Sequence, residues 1–246
     1  MQISNRVYLI ASGYAGCSLT HGNDCNAYAV RCGENYLLID SGVGVNTESI
    51  MRELEHDGIV SGKIHSLLIT HGHLDHSGGA YFLHRELGIP VIASCEAAAA
   101  LEGGDEEAIS LAAAKRAGIY QSDFRLNSCF IARKLKGGEN WSVGDCRVTA
   151  LRTPGHSRDM ITYLVQAPDE LLAFSGDTVF HGGKVLISDT WDCEPAAYAN
   201  SLRSLAAYPI DGLYPGHAIW SIREGHRQVR QSLDYVNRLL LPPNLL

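Results

Sequence analysis

Between Thr70 and Gly79 the chain reads THGHLDHSGG, which puts His71, His73, Asp75 and His76 within six residues of a sequence that has 11 histidines in all. Neutral imidazole and carboxylate are the ligands of zinc and also of manganese and iron, and a catalytic site leaves one coordination position open for water or substrate. Two residues apart on an extended loop, His71 and His73 project to the same side, and Asp75 and His76 follow as the chain turns toward a helix. One cation cannot take all four from so short a loop and stay open. Two neighbouring cations can, each taking a pair and completing its shell from elsewhere.

Three residues qualify as the missing ligands, each in a turn context directly after an apolar, strand-like run: His156 in TPGHSRD, Asp177 in SGDTVF and His217 in YPGHA. Five histidines and two aspartates would then serve two cations, with one aspartate shared. His21, His56, His65, His84 and His226 stand alone in their segments and read as ordinary surface or core residues.

These residues need strands that end where they begin. Strand patterns lie at Val7 to Ala11, Asn26 to Cys32 and Tyr36 to Asp40, the last two joined by a hairpin turn at Gly33. A helix opens at Thr47, with Ile50, Met51 and Leu54 on one face, and closes at Gly58. Ile64 to Thr70 reads as a buried strand running into the histidine cluster, followed by a helix from Ser77 to Gly88 and a short strand from Pro90 to Ser94. The alanine-rich stretch from Cys95 to Ala117 reads as two helices broken at Gly103 and Gly104. Strands are expected again at Cys129 to Leu135, Cys146 to Thr153, Met160 to Val165 and Leu171 to Ser175. A helix follows Glu194, with Pro195 in its first turn, and a short strand precedes Tyr214. A last helix covers about Ser221 to Leu240. The expectation is one domain over residues 1–246, built of two strand-rich halves at about 1–125 and 126–246, an α/β arrangement of two sheets with helices outside.

The whole chain supports a soluble small-molecule protein. Its 246 residues can bury a sizeable core, 46% are hydrophobic and 19% charged. A formal net charge of −7, without clusters of Lys and Arg, excludes a nucleic-acid partner, and no run reaches the ~20 apolar residues of a membrane helix. The N-terminus reads as a first strand rather than a signal peptide. Seven scattered cysteines without a C-x-x-C pair suit a reducing cytoplasm. A homo-oligomer is compatible with this composition.

The order and spacing of H-x-H-x-D-H at 71 to 76, His156, Asp177 and His217 resemble the ligand set of the metallo-β-lactamase superfamily, over roughly Asp40 to His217. The resemblance implies a four-layer αββα sandwich. It also implies a first metal on His71, His73 and His156, a second on Asp75, His76 and His217, and Asp177 bridging both. Asp40, in LLIDSG, resembles the family's buried aspartate that supports the histidine loop. Two divalent ions, zinc first and manganese or iron as alternatives, would lower the pKa of a bridging water from about 15.7 toward neutrality and provide a hydroxide nucleophile. Asp75 is the catalytic candidate for orienting that nucleophile or passing its proton to the leaving group.

Within the family the ligand set resembles glyoxalase II and the lactone hydrolases. β-Lactamases of the common type have a cysteine near position 177, and flavodiiron proteins have glutamate where His73 stands. The short stretch after His217 leaves little for the glutathione-holding helices of glyoxalase II. Phe180 stands where acyl-homoserine-lactone hydrolases have a tyrosine. The expected activity is hydrolysis of a small ester, thioester or lactone. The alternatives are a mononuclear iron oxygenase resembling persulfide dioxygenases, on His71, His156 and Asp177, and a metal-binding protein without turnover. Tyr120, Phe180, His181 and Trp191 are candidate pocket residues.

Overall fold

The computed structural model describes residues 1–245, which form two compact units, 1–135 and 136–245. In the first unit a six-stranded mixed sheet has the order β1 (Val7–Ala11), β2 (Ala27–Cys32), β3 (Asn35–Ile39), β4 (Ile64–Leu68), β5 (Val91–Ser94), β6 (Arg133–Leu135). β1, β2 and β3 run antiparallel, and β3 through β6 are parallel. β1 and β5 are buried at every residue, which is why they read as continuous apolar runs rather than alternating ones. The two-residue turn between β2 and β3 depends on Gly33, whose φ of 63° disfavours other residues.

Five helices belong to this unit: α1 (Thr47–His56), α2 (Leu74–Ser77), α3 (Ala80–Leu87), α4 (Cys95–Gly103) and α5 (Leu111–Arg116). Ile50 and Leu54 of α1, Leu83 of α3 and Leu101 of α4 join the core formed by Ile10, Leu38, Leu67 and Val91. Each such side chain, fully buried, contributes about 1.5–3 kcal/mol. The helix expected from Ser77 to Gly88 is two, because the chain already turns helical at Leu74, so Asp75 and His76 sit in helix rather than before it.

In the second unit β7 (Asn140–Val143), β8 (Cys146–Arg152), β9 (Ile161–Gln166), β10 (Leu171–Gly176) and β11 (Gly212–Pro215) form a sheet ordered β11-β10-β9-β8-β7. Only β10 and β11 pair in parallel. α6 (Pro195–Ala206) and α7 (Gly225–Asn237) share a core with this sheet through Leu202, Leu205, Val229, Ala173 and Leu213. Two sequence expectations change here. Only 133–135 of the expected 129–135 strand is regular, and it pairs with β5, so the first unit runs to Leu135 rather than to about 125. β7, a four-residue strand in which half-buried Trp141 and buried Val143 alternate with exposed polar residues, was too short to stand out in the sequence.

Candidate metal centre

In the first unit, strand register assembles the histidine loop. β3 and β4 are parallel neighbours paired at Ile39 and Leu68, so the residues leaving their carboxyl ends emerge side by side, where parallel sheets commonly place function. Asp40 leaves β3 with φ of 61°, a left-handed conformation that costs a non-glycine residue roughly 1–2 kcal/mol. It is buried, and its carboxylate accepts three hydrogen bonds at 2.8 Å: from the Thr70 amide on Oδ1, and from Thr70 Oγ1 and His76 Nδ1 on Oδ2. Three donors repay both the burial and the strain.

This network sets the tautomers of two histidines. His76 Nδ1 donates to Asp40, which leaves the lone pair of the neutral ring on Nε2. Thr70 Oγ1 has given its proton to Asp40, so at 3.1 Å it accepts from His71 Nδ1, and the His71 lone pair is likewise on Nε2. The rings converge, His71 lying 4.7 Å from His73 and 4.1 Å from His76 between centroids. The loop is held by Ser41, whose amide and Oγ both donate to the His76 carbonyl at 2.8 Å, and by Ser77 Oγ, which donates to the Gly72 carbonyl at 2.7 Å. Gly79 lies so close to the 41–42 backbone that a β-carbon there would run into the Ser41 carbonyl oxygen. Asp75, partly exposed, has Oδ2 3.6 Å from His76 Nε2, and its charge acts on the nearby Tyr120 phenol. Burial first, and then the negative charge of Asp75, push the Tyr120 phenol well above its ordinary range, so it stays a proton donor.

Cys25, Asp40 and His76 also lie close enough together to resemble a metal triad. Burial pushes the Cys25 thiol up to about 12, and Asp40 already serves three donors. That trio therefore reads as the support of the histidine loop.

In the second unit β8 and β10 point the same way and β11 is parallel to β10, so the loops that follow them open at one end of the sheet and carry His156, Asp177 and His217. Asp177 is buried. Its Oδ2 lies 3.5 Å from His156 Nε2 and 3.4 Å from His217 Nε2. His156 Nδ1 donates to the Leu186 carbonyl at 2.9 Å, and a carbonyl can only accept, so His156 too presents its lone pair on Nε2. Tyr198 of α6 donates to the same carbonyl at 2.7 Å, and Ser201 Oγ to the Pro154 carbonyl at 2.6 Å, tying the His156 loop to that helix.

The donor set in each unit fits a divalent cation. A nitrogen lone pair and a carboxylate oxygen repel unless positive charge lies with them, and two ligands of a tetrahedral zinc at ~2.1 Å stand about 3.4 Å apart. The 3.4–3.6 Å nitrogen-to-oxygen distances at Asp75 and Asp177 match that separation.

Of the pocket candidates, Tyr120 stands beside Asp75. Phe180 is fully buried and offers no surface to a ligand: it lies in the loop after β10, directly before the short 3-10 turn at His181–Gly183, with its ring in the interior. His181 is held through Nδ1 by Ser221 Oγ at 2.9 Å, and Trp191 is exposed, with the Arg158 guanidinium 5.3 Å above its ring. Thr70, Ser41 and Tyr198 were missed in the sequence. Thr70 adjoins the motif and has a hydroxyl suited to relay a hydrogen bond, whereas the Leu186 carbonyl is backbone and has no side-chain signal at all.

A sequence model of the metallo-beta-lactamase superfamily matches residues 22–217. The atrochrysone carboxyl ACP thioesterase of Aspergillus fumigatus is 30% identical over 96% of this chain and 63% of its own length. The acyl-coenzyme A thioesterase MBLAC2 of Gallus gallus is 31% identical over 67% of this chain and 61% of its own. The chain thus spans about three fifths of these relatives. Among solved structures, the native FEZ-1 metallo-beta-lactamase of Legionella gormanii superposes with a TM-score of 0.67 over 97% of each chain at 19% identity, a likeness of fold.

Proposed function

The chain belongs to the metallo-β-lactamase superfamily, and on that premise we propose that it is a dinuclear metal-dependent hydrolase of small esters, thioesters or lactones. One observation carries the reading: His71, His76 and His156 each commit Nδ1 to an acceptor and so present an Nε2 lone pair, two of them 3.5–3.6 Å from an aspartate oxygen. The reading assigns His71, His73 and His156 to one cation, Asp75, His76 and His217 to the other, and Asp177 to both. When bound, two divalent cations, zinc foremost, would supply hydroxide at neutral pH and polarise the scissile carbonyl.

The remaining work falls to the chain's own residues. Asp40, acting through Thr70 and directly on His76, holds two imidazoles in the ligating tautomer. Asp75 takes the proton of the nucleophile and returns it to the departing alcohol or thiol. Metal-ligating histidines have no lone pair left for that task. The thioesterase relatives support the thioester as the first bond to test. Cysteines that form no disulfide among the described residues suit a cytoplasmic setting.

The test is metal analysis of the purified protein together with a panel of esters, thioesters and lactones. Two zinc or manganese ions per chain with turnover of at least one class is the expected result, and His73→Ala should lower the stoichiometry and reduce kcat/KM by more than about a hundredfold. One iron per chain with oxygen uptake, or full activity in His73→Ala, would overturn it.

A further inference from the structure

Resting on the hydrolase reading, which puts a cation on His156, we propose that residues 243–245 are a working part of the metal centre: they hold the Leu186 carbonyl where it fixes the His156 ring, and Asn244 is the positioning residue. The Leu186 carbonyl accepts from His156 Nδ1 at 2.9 Å and from the buried Tyr198 hydroxyl at 2.7 Å. Leu186 lies outside the strands of the second sheet, so the sheet ladder does not fix where its carbonyl points. The tail supplies that ladder. Val185 N donates to the Pro243 carbonyl at 3.0 Å and Leu245 N to the Val185 carbonyl at 2.8 Å, a parallel bridge between Val185 and Asn244. The Asn244 side chain continues it: Oδ1 accepts from Ile187 N and Nδ2 donates to the Ile187 carbonyl, both at 3.0 Å.

In extended chain the polar groups of successive residues point to opposite sides. Val185 and Ile187 direct theirs to the tail, so the Leu186 carbonyl between them is turned the other way, toward His156 and Tyr198. A carboxamide offers the acceptor and the donor that Ile187 needs. A carboxylate would set its second oxygen against the Ile187 carbonyl. The route of the chain supports the contact. After α7, Leu239 N donates to the Val236 carbonyl at 2.9 Å and Leu240 N to the Tyr235 carbonyl at 3.0 Å, with Leu239 at φ of 59°, a left-handed position that glycine usually fills. Such strain persists where surrounding contacts hold it, and the four bonds to Val185 and Ile187 follow this turn. The other end of the segment is held by α7 itself, through Gln228 Oε1, which accepts from Gly182 N at 2.7 Å. The last helix and the residues after it therefore govern a ligand without contributing one.

The test uses the full chain and three variants. Asn244→Ala removes both side-chain bonds to Ile187. Leu245→Pro removes an amide donor and suits the extended residue before it. Leu241→Ala, at an exposed position ahead of the contact, is the control. Long-range nitrogen–proton NMR of the metal-free protein, at a pH where imidazole is neutral, reads the His156 ring, assigned by its absence from His156→Gln. Wild type and Leu241→Ala should show a single ring form protonated on Nδ1, and Asn244→Ala and Leu245→Pro a mixture of tautomers. Zinc affinity, measured by competition with a graded chelator, should fall on the order of tenfold in those two variants, the low end of what losing a ligand's supporting partner costs. Their metal-free melting temperatures should stay near wild type. An unchanged His156 tautomer and wild-type zinc affinity in both variants overturn the proposal and leave the hydrolase reading standing. A lowered metal-free melting temperature with the tautomer unchanged also overturns it, by reducing the tail to a structural role. A mixed tautomer and weakened zinc binding in the variants, with no ester, thioester or lactone cleaved by wild type, uphold the tail's role and remove the hydrolase.

Discussion

Asp40 orients two imidazoles of the histidine loop at once. One carboxylate sets the ring nitrogen that His76 presents and, through the Thr70 hydroxyl, the one that His71 presents. Asp40→Asn replaces an acceptor oxygen with an amide that has its own hydrogens, so a donor must face a donor in a buried site. The expected loss is about 1–3 kcal/mol of stability and about 10–100-fold in metal affinity. Denaturant unfolding and metal retention against a graded chelator measure the two, and wild-type retention would show that the histidines orient without Asp40. The pattern LLIDSG pointed to this residue by resemblance, but the relay through Thr70 was invisible, because it depends on two strand ends lying side by side.

At the level of elements, the histidine loop exists because α2 and α3 pack against the turn that follows β3. Gly78 and Gly79 allow that approach: their missing β-carbons are occupied by carbonyl oxygens of Val43 and Ser41. Gly79→Ala should cost about 1–3 kcal/mol by forcing the 41–44 turn away from the loop, whereas Gly62→Ala, where nothing lies within 4 Å of an added β-carbon, should be near neutral. Equal melting temperatures for the two variants would refute the packing account. The motif ending in SGG already carried this information as residue types. What it lacked was the partner backbone, since carbonyl oxygens belong to no particular residue type. The same gap hid the Leu186 carbonyl that orients His156.

For the whole chain, a metal that binds only the folded state adds stability by mass action, about 4 kcal/mol for a site filled at a thousand times its dissociation constant. At roughly 2–4 °C per kcal/mol for a chain of this size, stripping the metal with a chelator should lower Tm on the order of 10 °C, and added zinc should restore it. Superimposable melting curves with and without chelator would mean that the seven proposed ligands hold no structural metal. By itself the sequence determined which side chains could ligate, their order, the strand-to-loop setting of each and the family they resemble, because ligand chemistry resides in residue type and strand patterns are local. Only the tertiary structure decided which nitrogen His71, His76 and His156 present, that β6 joins the first sheet, that Phe180 is core and that Tyr120 lies near Asp75. Those facts follow from register and from backbone groups brought together across long separations, and neither is written in the type of any single residue.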